Sequence, residues 1–137
     1  VNIPCKSACP ILTDVPGYIQ AILEGDFKRA YTINRRDNVF PHSLGRVCSR
    51  PCEPACRHGR EGLGEPVAIC HLKRAAADFG YTEEAITVVP NGKSVCVVGA
   101  GPSGLTTAND LGVRVPFRLS VVVPVAESSR RTLAPLV

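Results

Sequence analysis

Methionine and tryptophan are absent from this 137-residue chain, and aromatic side chains of any kind make up only 5% of it. Without a methionine, Val1 is not an encoded start, so further residues are expected upstream. No apolar run approaches the roughly 20 residues that a membrane-spanning helix needs, and the N-terminus lacks the basic-then-apolar layout of a secretory leader. A soluble, cytoplasmic protein with no membrane partner is the expectation. Charge of neither sign dominates, since 16 Lys plus Arg against 12 Asp plus Glu leave a formal +4. So mild and scattered a surplus, with so few aromatics, argues against nucleic acid as a partner. The length suffices for one small domain, or for one and a piece of another.

Cysteine is what the chain has in quantity. There are seven, an odd number, and without a leader a disulfide framework is the weaker reading and metal ligation the stronger. In GRVCSRPCEPACRHG, residues 45–59, Cys48, Cys52 and Cys56 follow one another at four-residue steps. Cys5 and Cys9 form a second group, CKSACP, which has the form of the end of a ferredoxin-like run; the two earlier cysteines of such a run would precede Val1. The cysteine before Pro in such a run commonly serves a different cluster from the others, and two groups about 40 residues apart suit a pair of cubane iron-sulfur clusters. Zinc is the alternative. Cys5, Cys9, Cys48 and Cys52 would close a four-thiolate zinc site in an interaction domain, leaving Cys56 and Cys70 idle.

The surrounding sequence is helical in pattern. Asp14 is placed to cap a helix with Val15, Tyr18, Ile19, Ile22 and Leu23 on one face and Gly25 as its stop. A second helix starts from Asp26, with Phe27, Ala30, Tyr31 and Asn34 inward, and the Pro41 to Gly45 region breaks the period. Pro51 and Pro54 exclude a regular helix through Cys48–Cys56, so a winding loop is expected there, of the kind that wraps metal centres. Pro66 suits the first turn of a third helix, whose Ile69, Leu72, Ala76 and Phe79 make a stripe ended by Gly80. Cys70 lies on that helix.

After Gly80 the composition changes. Residues 81–92 read as a connector, and KSVCVV, residues 93–98, as a short buried strand running into GAGPSG and then the helical LTTANDL. Strand, glycine turn and helix in that order are the context of a dinucleotide-binding fingerprint. Gly99 allows the tight turn, Gly101 lets backbone amides approach a pyrophosphate, and Gly104 lets helix pack on strand. Glu127, after SVVVPVA, is the candidate acidic partner for a ribose. Pro116 and Pro124 count against the strand that should precede it, and the βα units that would complete a nucleotide pocket do not follow.

Several of these motifs, in this order, carry a resemblance. C-x3-CP, VPGYIQAILEGDFKRAYTINRRDNVFP, LGRVC-x3-C-x3-C, EPVAICHLKRAAADF and KSVCVVGAGPSGLT together resemble the N-terminal part of the glutamate synthase small subunit and its relatives, including the N-terminal region of dihydropyrimidine dehydrogenase. The likeness runs over roughly residues 5–111. It implies a mainly α chain: a helical ferredoxin-like domain over residues 1–80, a connector over 81–92, and over 93–137 the first βα unit of a Rossmann-type domain with an irregular tail. It further implies up to two 4Fe-4S clusters, FAD in the complete protein, electrons taken from NAD(P)H, and a partner oxidoreductase subunit or domain. By the same resemblance one cluster draws on Cys9, Cys48 and Cys52, and the other on Cys5 and Cys56 with the upstream pair. Relatives take a fourth ligand for the first cluster from the following helix, often Glu or Gln. Lys73 stands near that position and is a poor ligand; Cys70, one turn earlier, is the substitute, set against a reading as a buried structural cysteine.

Cys96, inside VCVVGAG, reads as a core residue. His42, His58 and His71 read as surface groups or groups behind the ligands. Arg46, Arg50 and Arg57 flank the thiols, where they would either offset cluster charge or lie solvated. No Ser/His/Asp set or carboxylate pair presents itself, so the expectation is an electron conduit that is not catalytic by itself.

Overall fold

A computed structural model describes residues 3–82, 93–114 and 117–122, with side chains described as far as residue 112. The chain divides into two compact units, Val1–Glu83 and Glu84–Val137.

Every regular element of the first unit among its described residues is a helix. Its elements are α1 (Pro4–Ser7), α2 (Val15–Leu23), α3 (Phe27–Asp37), α4 (Pro41–Val47), α5 (Arg57–Arg60) and α6 (Ile69–Gly80). Proline opens α1, α2 and α4, where its fixed φ suits the first turn and its missing N–H costs nothing. Asp14 is the N-cap residue of α2 through its backbone, with no side-chain cap bond. At α3 the Asp26 carboxylate accepts the Arg29 N–H at 2.8 Å. Gly25, at φ 77°, makes the left-handed step that separates α2 from α3.

Small residues let these helices come close. Ala21, Ala30 and Ala76 have no exposed surface, and Val15, Tyr18, Ile69 and Cys52 fill the space between them. A Cβ on Gly45 would stand 2.9 Å from Arg74 Cα, and one on Gly80 would strike the carbonyl of Phe27, so α6 is pressed against α4 at one end and α3 at the other. Arg46 of α4 and Arg74 of α6 both reach the Asp78 carboxylate, at 3.0 and 3.2 Å.

Four expectations shift. Residues 41–47 form a helix where a break was expected, because Pro41 initiates α4 and Gly45 serves close approach. Leu23 and Phe79, each 76% exposed, fall outside the core, since each sits at the end of its helix; the Phe79 ring meets Phe27 edge-on at 5.5 Å. Pro66 precedes α6, which starts at Ile69, and the short helix α5 carried no sequence signal.

In the second unit β1 (Lys93–Val98) and β2 (Phe117–Val122) pair in parallel, Lys93 opposite Phe117 and Val98 opposite Val122, joined through α7 (Pro102–Arg114). Pro116 and Pro124 flank β2 in sequence and so withdraw no N–H from the ladder. Val97 is buried and lies 3.6 Å from where a Cβ on Gly104 would be. Cys96 corrects the sequence reading: it is exposed, because alternation along β1 turns it to the face opposite Val97. Glu127 and the tail beyond residue 122 lie outside the described residues. Among the described residues no helix is long and apolar enough to cross a membrane.

Candidate metal centre

Six of the seven cysteines belong to the helical unit, and all are free thiols. Cys5 sits in α1, stabilised at its start by Pro4. Cys9 follows the end of that turn, and the chain then bends through Leu12, held at φ 53° with its N–H on the Cys9 carbonyl at 2.9 Å. Cys48 is the C-cap residue of α4 and Cys56 the N-cap residue of α5. Between them the chain winds through successive turns, closed by Glu53 N–H to Arg50 O and Cys56 N–H to Glu53 O, both 3.0 Å. The proline-rich loop expected from the sequence is therefore present.

Burial pushes the Cys52 thiol up to about 11, and the charges of Cys48, Cys9 and Glu53 act on it in the same direction. Cys5 is likewise raised by burial, and the cysteine whose charge reaches it is Cys56. Cys52 and Cys56 are each 8% exposed.

Hydrogen-bond donors turn toward two of the sulfurs. Arg50 adopts φ 61°, a left-handed conformation costing a non-glycine residue about 1–2 kcal/mol, and its N–H reaches Cys48 Sγ at 3.4 Å. The buried Thr13 hydroxyl lies 3.7 Å from Cys9 Sγ, accepting from the thiol; against a thiolate the hydroxyl would become the donor.

Cys70 occupies the join of α4 and α6. Its Sγ donates to the Leu44 and Gly45 carbonyls at 3.6 Å each. Burial raises its thiol, while the positive charges of Lys73 and Arg50 pull the other way. Its own N–H, in the first turn of α6, is capped at 2.9 Å by the Glu53 carboxylate from the cysteine loop. Among the described residues no three His, Cys, Asp or Glu side chains converge closely enough to hold a single metal ion.

Tyr18 stands among these groups. It is 1% exposed, and its hydroxyl donates to the Ile69 carbonyl at 3.0 Å. Burial raises its hydroxyl strongly, and the charges of Cys52, Cys70, Cys5 and Cys9 all add to the effect; Cys52 and Cys5 pack in the same cluster as its ring. Of the flanking arginines, Arg46 is engaged by Asp78, Arg57 lies 3.8 Å from Glu61, and Arg50 contributes through its backbone. His58 contacts the Glu65 carbonyl at 2.8 Å, and His42 packs against the Tyr31 and Tyr81 rings.

The sequence reading passed over Thr13, Glu53 and the bordering role of Tyr18. The spacing of Thr13 four residues after Cys9 was available as a signal; the Glu53 cap joins residues 17 positions apart, and nothing local announces it.

In the second unit Gly99 takes φ 106° at the end of β1. A Cβ on Gly104 would strike the Gly99 carbonyl, and Gly101 has open space around it while its carbonyl accepts the Leu105 N–H at 2.9 Å.

Comparison with known proteins gives a consistent set. The family described as dihydropyrimidine dehydrogenase domain II, 4Fe-4S cluster, matches residues 1–85. The chain is 35% identical to the NADP(+)-dependent formate dehydrogenase subunit beta of Moorella thermoacetica, over 83% of this chain and 19% of that protein. It is 39% identical to the NADPH-Fe(3+) oxidoreductase subunit beta of Geobacter sulfurreducens, over 77% of this chain and 16% of the other. The glutamate synthase (NADPH) small chain of Bacillus subtilis is 34% identical over 77% of this chain and 22% of its own length. The chain therefore spans about a fifth of the length of these relatives.

Proposed function

The chain belongs to the dihydropyrimidine dehydrogenase domain II, 4Fe-4S cluster family, and from that premise we propose that it is the electron-transfer module of an NAD(P)H-dependent flavin and iron-sulfur oxidoreductase. The six free cysteines gathered in the one helical unit carry the reading. Soft thiols without disulfide partners, one receiving a backbone N–H and another beside a hydroxyl that could turn to donate, fit a 4Fe-4S cluster. Such a cluster, when bound, supplies one-electron storage at a potential set by its surroundings.

The chain's own residues then have distinct tasks. Cys9, Cys48 and Cys52 hold one cluster as thiolates, with Cys70 as the fourth thiol at hand. Cys5 and Cys56 contribute to a second. The Arg50 N–H and Thr13 hydroxyl place positive dipoles on ligand sulfurs, which favours the reduced, more negative state. Tyr18, Ala76 and Ile69 pack in one buried cluster with Cys52 and shield that sulfur from water.

The parallel β1–α7–β2 arrangement supports a Rossmann-type unit in which Gly99, Gly101 and Gly104 form the phosphate turn for FAD, and Glu127 is assigned to the ribose. Partner choice follows the relatives, whose names describe beta subunits and small chains. The module would exchange electrons with another oxidoreductase subunit or domain.

Anaerobic reconstitution with iron and sulfide tests this. A brown chain with broad visible absorption and an electron-spin resonance signal on reduction is expected; a colourless chain that binds one zinc ion would replace this reading with a zinc-stabilised interaction domain.

A further inference from the structure

Cys48 and Cys70 converge on a single acceptor. The Cys48 N–H reaches the Leu44 carbonyl at 3.2 Å, and the Cys70 thiol reaches the same oxygen at 3.6 Å. The Cys48 side chain is also close enough to act on the Cys70 thiol. The convergence follows from the close crossing of α4 on α6: Gly45 carries no side chain where Arg74 passes, and Cys70 lies one turn before Arg74 on the same helix. The Glu53 carboxylate on the Cys70 N–H fixes the cysteine loop against that turn.

The two thiols differ in access. Cys48 is half-buried and within reach of a solute, whereas Cys70 is 2% exposed and closed off by α4. An external oxidant therefore meets Cys48, and the neighbour waiting behind it is Cys70. That is the arrangement of an attacking thiol with a resolving thiol.

We propose that Cys48 and Cys70 form a reversible disulfide when the site holds no cluster, making cluster assembly conditional on thiol reductant. With oxidised glutathione as the oxidant, Cys48, as thiolate, attacks one of its sulfurs and releases one glutathione thiolate. Cys70 then gives up its proton to solvent and attacks the Cys48 sulfur of the mixed disulfide, releasing the second glutathione. Two thiols are oxidised to one disulfide, and one glutathione disulfide is reduced to two thiols. The linked pair ties the C-terminus of α4 to the first turn of α6 and removes Cys48 from the ligand set.

The consequence for assembly rests on the cluster reading above, whereas formation of the disulfide does not. The test uses the chain stripped of metal, treated with oxidised glutathione, alkylated, digested without reduction and read by tandem mass spectrometry. A peptide linking Cys48 to Cys70 is expected as the dominant disulfide. The Cys70→Ser chain, treated in the same way, should retain glutathione on Cys48. Linkage of Cys48 to Cys9 or Cys52 in the wild-type chain, with Cys70 recovered as a free thiol, would overturn the proposal. The oxidised wild-type chain should take up little iron until dithiothreitol is added, and uptake undiminished by oxidation would overturn the assembly gate. If the fully reduced chain takes up no iron either, the cluster reading has failed, while the peptide map still decides the disulfide.

Discussion

Tyr18 shows how much one side chain in this molecule is asked to do. Its ring sits in the core cluster of the helical unit with Cys52 and Cys5, while its hydroxyl anchors the start of α6 through the Ile69 carbonyl. Tyr18→Phe keeps the ring and leaves that carbonyl without this donor, so urea unfolding of the apo chain should show a loss of about 1–3 kcal/mol. The helix period made Tyr18 legible as a core residue. Its place between cysteines lying 13 positions before it and 52 after it is a tertiary fact that no local pattern contains. The thiols should differ in reactivity in the same way. Cys96 is exposed, whereas Cys52 is buried with its thiol pushed up to about 11. At pH 8 the folded apo chain should therefore be alkylated first at Cys96 and last at the buried Cys52 and Cys70, as timed mass spectrometry would record. Near pH 11 the contrast should shrink, because the Cys52 thiolate becomes populated there.

Among the elements, the crossing of α4 on α6 decides whether the cysteine loop is presented correctly. Gly45→Ala places a methyl against the Arg74 backbone, and overpacking of this kind costs about 1–3 kcal/mol; thermal unfolding of the apo chain should report it. Glu53 supports the same crossing from the other side. Glu53→Gln retains an acceptor for the Cys70 N–H and should stay close to wild-type stability, while Glu53→Ala removes the cap at a cost of about 0.5–2 kcal/mol. The helices themselves were largely readable: Asp26, Gly25 and the apolar spacing located α2 and α3, and KSVCVV located β1. What escaped the sequence were the features that depend on a neighbour. Helix α4 was missed because Pro41 and Gly45 resemble breakers until α6 is seen lying against Gly45. Cys96 was taken for a core residue because a valine-rich run does not reveal which strand face is covered.

For the whole molecule, the comparison of lengths bears on what the chain can do alone. It spans about a fifth of relatives named as subunits of NADP-linked oxidoreductases, and its second unit offers one glycine turn for a dinucleotide. The 137-residue chain should accordingly retain no stoichiometric FAD through gel filtration. The cysteine pattern made the candidate centre legible, its spacing favouring a cluster over zinc; the partition of ligands came from resemblance and has a direct test. That test is iron content after anaerobic reconstitution, compared among single variants. By that partition Cys9, Cys48, Cys52 and Cys70 would complete one site within this chain, whereas Cys5 and Cys56 would supply only two thiols to the other. The wild-type chain should hold about four irons, one 4Fe-4S cluster; Cys48→Ala and Cys52→Ala should lose most of them, and Cys5→Ala should keep them. Loss of iron in Cys5→Ala as complete as in Cys48→Ala would contradict the partition on which this account rests.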